Sequence, residues 1–177
     1  MKKSIVYIAI GLFTFIQSSF AQTDKRKQPV LDTTSLCLTL IGKFDGTVKD
    51  FEGNYTAKLI KGNKVVEEQS LNVKKSFTFT MRRNTLYAIK IEKQGYISKI
   101  ISISTKLPNK LEMDETFKFD LETNMISDEL HSHFNEDDLD FPVALISYNK
   151  KCECFEYNIE YTVALISRMI NHLVFGS

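Results

Sequence analysis

Residues 85–105, TLYAIKIEKQGYISKIISIST, decide how the rest of the chain is read. Side chains alternate with a period of two, which is the strand period and not the helical one. Tyr87, Ile89 and Ile91 fall on one face, against Leu86, Ala88, Lys90 and Glu92 on the other. Gly95 then permits a positive-φ turn before Tyr96, and Ile97, Ile100, Ile101 and Ile103 continue the apolar pattern.

The same period extends outward in both directions. SFTFTM (76–81) sets Phe77, Phe79 and Met81 against Ser76, Thr78 and Thr80, and the following RRN turns the chain. Further upstream, YTAKLIKGNKVVEEQSL (55–71) reads as two strands joined at Gly62-Asn63, a favoured tight-turn pair. SLCLTLIGKF (35–44) is apolar at both alternating sets, as expected of a strand buried on both faces. Downstream, ETFKFDLET (115–123) alternates Phe117, Phe119 and Leu121 with polar residues. Short strands at this spacing predict a mainly β protein, an antiparallel β-sandwich over residues 35–122.

Residues 123–177 are read as a C-terminal extension of loop, hairpin and amphipathic helix. The stretch 122–140 is acidic and polar without a two-residue period, as in a surface loop or short helix. VALIS then occurs twice, at 143–147 and 163–167. The first copy follows Pro142 and leads into YNKK, which predicts a β-hairpin. In the second, Ile159, Val163, Ile166, Ile170 and Leu173 fall at helical spacing. Asn158 is placed to cap that helix and Glu160 suits its first turn. The helix stripe either caps an open end of the sandwich or faces a partner.

The pattern in 85–105, with Gly-Tyr between two aliphatic strands, resembles the carboxypeptidase regulatory-like domain. LIGKF (40–44), YTAKLIKGNKVV (55–66) and SFTFTM agree with that family's opening strand, hairpin and next strand. The chain departs from it at Lys75-Ser76, where the family often has glycine. The resemblance covers roughly residues 35–105. It implies a prealbumin-like (transthyretin-like) or Ig-like sandwich of the kind common in exported proteins of Bacteroidetes-type bacteria. It also implies an accessory or binding module, since chemistry in such proteins resides in another domain.

The first residues, MKKSIVYIAIGLFTFIQSSFAQ, have the form of a secretory signal. Two lysines precede an apolar run, and small residues precede a favoured cut after Ala21. Cleavage there removes 21 of the 177 residues and two lysines, taking the formal charge from +1 to −1. The polar segment 22–34 reads as a flexible leader. The expectation is an exported protein, periplasmic or cell-surface associated, with no transmembrane span after cleavage. Its near-neutral charge argues against a nucleic-acid partner.

Candidate chemistry centres on Cys37, Cys152 and Cys154, an odd number of thiols for an exported chain. Three readings are open: a disulfide between Cys37 and one of the others, inert thiols, or a metal site joining Cys152 and Cys154 to His131 and His133. On a regular strand Cys152 and Cys154 point to opposite faces and converge only at a bulge or turn. His133-Phe134-Asn135-Glu136 matches a His-x-x-Glu zinc pair but lacks a third ligand. The acids Glu136, Asp137, Asp138 and Asp140 read as a solvated run. No catalytic, cofactor or metal set is therefore assigned. The expected role is a non-catalytic binding or assembly module contacting an envelope protein or a glycan. The alternative is a metal-dependent hydrolase built on the His131/His133 and Cys152/Cys154 region.

Overall fold

The computed structural model describes residues 34–44, 52–108, 115–134 and 139–175. The signal segment 1–21 and nearly all of the leader 22–34 lie outside them. Strands β1 (Leu36–Phe44), β4 (Phe77–Arg82) and β7 (Phe117–Thr123) form one sheet in the order β4-β1-β7. The larger sheet has the order β3-β2-β5-β6-β8-β9. Its strands are β2 (Asn54–Lys61), β3 (Lys64–Asn72), β5 (Leu86–Glu92), β6 (Lys99–Ser104), β8 (Ala144–Asn149) and β9 (Cys154–Tyr157). A 3-10 helix spans Asp128–His133, and helix α1 spans Ile159–Phe175.

The result is a β-sandwich with one departure from the antiparallel expectation. Most pairings are antiparallel, but β1 with β7 and β6 with β8 are parallel. Both parallel partners arrive through long connections, which a two-residue turn cannot provide. The C-terminal hairpin β8–β9 is an integral edge of the larger sheet, joined to β6 by that second pairing.

The two-residue periods map onto the core. Phe77, Phe79 and Met81 are completely buried, as are Ile89, Ile91 and Ile103 in the larger sheet, where Ala57 and Leu59 lie beside Ile91 and Ile89. In β1 a register shift between Leu36 and Leu38 lets Cys37 and Leu38 both turn inward. Thr39 and Ile41 are half-buried, so burial on both faces of β1 is partial. Tight turns follow the sequence: Gly62 and Asn63 have φ of 53° and 60°, and Gly95 has φ of 78°. Tyr96 then makes an isolated antiparallel bridge to Ser127.

The edges are covered in different ways. β3 carries Lys64, Glu67 and Glu68 on an exposed strand, which discourages pairing with another chain. Gln69 reaches from β3 to β4, its amide donating to the Thr78 carbonyl (2.7 Å) and accepting from the Thr78 N–H (3.2 Å). One side chain thus stands in for a strand neighbour. An aromatic cluster ties β7 to the hairpin: Phe117 packs edge-on against Tyr148 and Phe155, and Phe119 against Tyr157.

Candidate functional site

Helix α1 begins where Asn158 caps it. The Asn158 Oδ1 accepts from the Tyr161 N–H at 2.9 Å, satisfying a donor that the first helical turn leaves open. The Tyr161 hydroxyl donates to the Pro142 carbonyl at 2.7 Å and fixes the helix start beside β8. The helix packs through Leu165 and Met169, which join Phe134 in a second small core with Ile97, Ile126, Leu139 and Val143.

This face lies roughly a quarter turn round the helix from the apolar stripe, which is left facing outward. Ile159, Val163 and Ile166 are 71%, 56% and 47% exposed. The side chains of Ile170 and Leu173 lie outside the described residues. The stripe borders a groove of about 790 Å³ whose other wall is Ile101, Leu121, Ile126, Val143, Ala144 and Tyr157. The residues Asp120–Asn124 also line it, so the groove runs along the second half of β7. Among the described strands, β7 pairs with β1 alone in its sheet.

One cation stands at the groove. Lys99, the first residue of β6, donates from Nζ to the Thr123 hydroxyl at 3.2 Å and to the Asn124 carbonyl. Burial pushes its ammonium down to about 8. Tyr157 is shifted upward by burial first and by the Glu122 carboxylate second. At the groove's rim, Glu122 pairs with Lys43 at 3.4 Å, where both side chains are more than half exposed. Such a pair contributes little to stability. Sequence reading passed over this groove. Its signal was a lysine set among the isoleucines of YISKIISIST.

The cysteines combine one of the three readings with a pairing none of them named: Cys37 is a buried thiol. Cys152 and Cys154 are disulfide-bonded to each other, with Cα atoms 5.2 Å apart. The bond forms because Cys152 lies in the β8–β9 turn while Cys154 opens β9, so the two do not share a regular strand. Glu153 between them adopts a left-handed φ of 53°, which swings both sulfurs to the same side. Cys37 is buried in the core as a thiol, so the reading that bridges it to Cys152 or Cys154 does not hold.

The other candidates do not assemble around this turn. His131 and His133 are exposed on the 3-10 helix. The group of potential metal ligands found among the described residues is Cys152, Cys154 and Glu156, without a histidine. Glu136, Asp137 and Asp138 lie outside the described residues, and Asp140 is exposed. No helix among the described residues is long and apolar enough to cross a membrane. No family model and no curated protein matches the chain.

Proposed function

We propose that the chain is an exported binding module that takes an extended, apolar segment of an envelope protein into the groove between β7 and α1. The observation that carries this is the exposed stripe of Ile159, Val163 and Ile166 facing a strand edge. Large apolar side chains kept exposed in a row beside a groove are a mark of interaction surfaces. A strand edge supplies main-chain donors and acceptors, and neighbouring pockets select alternate side chains of an added strand.

Between the two partner classes expected from the sequence, a protein segment fits better than a glycan. The lining is mostly aliphatic, and the main-chain groups of Asp120–Thr123 match an extended backbone. The signal pattern of residues 1–21 supports export. The resemblance to the carboxypeptidase regulatory-like family supports a binding role over catalysis.

The test is a displayed library of random ten-residue peptides, followed by amide chemical-shift mapping of the peptides retained. The expected ligands alternate apolar and polar residues, shift the amides of Asp120–Asn124 and of α1, and lose at least tenfold in affinity to Val163→Ser with Ile166→Ser. Retention of no peptide, or binding insensitive to those two changes, would overturn the reading.

A further inference from the structure

We infer that Cys152-Glu153-Cys154 is a solvent-facing dithiol–disulfide exchange site whose substrate is the dithiol of another protein. It stands apart from the groove and is independent of the proposed peptide binding. Cys152 is exposed and Cys154 half-buried, at the tip of a hairpin on the sheet edge. Exposed disulfides have the more oxidising potentials and include the labile and catalytic ones, whereas structural ones resist reduction.

A structural role has little to act on here. Cross-linking stabilises a fold chiefly by closing a loop in the unfolded chain, and the gain shrinks with loop length. This bond spans a sequence separation of two. The turn it crosses is already held by other bonds. Asn149 pairs with Cys154 in the ladder, the Lys151 N–H donates to Asn149 Oδ1 at 2.8 Å, and Asn149 Nδ2 donates to Glu156. The bond also requires Glu153, a residue with a Cβ, to hold a left-handed backbone. Reduction releases that requirement.

Access sets the direction of the reaction: Cys152 is the more exposed of the two sulfurs. A partner thiolate attacks the exposed Sγ of Cys152. A mixed disulfide forms, the Cys152–Cys154 bond breaks, and the electron pair leaves on Cys154 Sγ, which takes a proton from water. The partner's second thiolate then attacks its own sulfur in the mixed disulfide. Cys152 is released and protonated, the partner is oxidised to a disulfide, and two electrons have passed to the Cys152/Cys154 pair. The reverse sequence oxidises the pair at the cost of a partner disulfide.

The experiment uses the intact folded protein, dithiothreitol as the dithiol, and glutathione disulfide as the disulfide probe. Thiols are alkylated and the chain is weighed. In the wild type, dithiothreitol at millimolar concentration reduces the pair without unfolding, and glutathione disulfide restores it with release of two glutathione molecules per chain. Reduced Cys154→Ser is trapped with one glutathione on Cys152, at least tenfold more than Cys152→Ser on Cys154. Resistance of the wild-type bond to dithiothreitol in the folded state would overturn the proposal, as would equal loading of the two variants. A second readout guards against a purely structural bond. The urea midpoints of oxidised and reduced wild type are expected to coincide, and a large fall on reduction would assign the bond to the fold instead.

Discussion

Gly42 lies directly opposite Phe77 across the β1–β4 pair, and the Phe77 ring occupies the space that a Cβ on Gly42 would need. Three ring atoms stand well inside contact distance of such a Cβ, and the ring is completely buried. Gly42→Ala must therefore push Phe77 out of its place against Tyr55 and Phe79. Overpacking of this kind costs about 1–3 kcal/mol. Urea unfolding of the variant is expected to show a loss in that range, and Phe77→Leu in the same chain should recover part of it.

Thr105 gives a second test, through a hydroxyl with no exposure to solvent. Its Oγ1 accepts from the Thr85 N–H at 3.0 Å and lies within donating distance of the Arg82 carbonyl (2.6 Å) and the Thr85 carbonyl (2.8 Å). Thr105→Val keeps the shape and removes the acceptor. The stranded donor is expected to cost about 1–3 kcal/mol, measured by the denaturant midpoint, with Thr105→Ser losing less.

Lys99 sets a pH dependence whose sign follows from its lowered value of about 8. An unfolded chain holds the lysine proton up to about 10.4. Between these values the unfolded state binds more protons than the native one, so the lysine's contribution to stability rises with pH from about 8 to 10. Below pH 8 both states are protonated, and the charged lysine carries its full burial penalty. Tyr55, raised to about 12 by burial, acts in the other direction above pH 10. Comparing Lys99→Met with wild type isolates the lysine. The stability difference is expected to favour the variant most at neutral pH and to shrink as pH rises through 8. A difference flat from pH 7 to 10 would contradict this.

Helix α1 separates anchoring residues from exposed ones on a single element. Leu165 is 1% exposed in the small core, so Leu165→Ala is expected to cost about 2–5 kcal/mol. Val163, two residues away, is more than half exposed, and Val163→Ser should change stability by less than about 0.5 kcal/mol. Thermal melts followed by circular dichroism distinguish the two. Similar losses at both positions would mean that the stripe is packed against the protein in solution.

Legibility in the sequence differed from element to element, for physical reasons. Strands with one apolar face, such as β4 and β5, declared their inward residues because each sheet buries one side. The two copies of VALIS divided as expected into β8 and α1, because Pro142 and the Asn158 cap acted on otherwise identical strings. The sequence left open whether the stripe of α1 caps the sandwich or faces outward, because two apolar faces compete on this helix. The more regular one, Ile159-Val163-Ile166, is the one left outside. The parallel pairings were invisible, since alternation fixes a strand's faces but not its neighbours. The Cys152–Cys154 bond was hidden behind a backbone angle at Glu153 that no residue type announces.

The parallel pairing of β1 with β7 also governs how an interrupted chain behaves. Leu38 and Phe117 are register partners 79 residues apart, and Ile101 and Ala144 are partners 43 apart. Contacts this distant in sequence form late, after the cost of closing the intervening chain has been met. Until then β1 and β6 each present an apolar strand edge awaiting its neighbour. A product cut short before Phe117 would keep both edges open. Such a fragment is not a smaller version of this domain; it is a template for sticking to other strands, and its natural fate is degradation or aggregation.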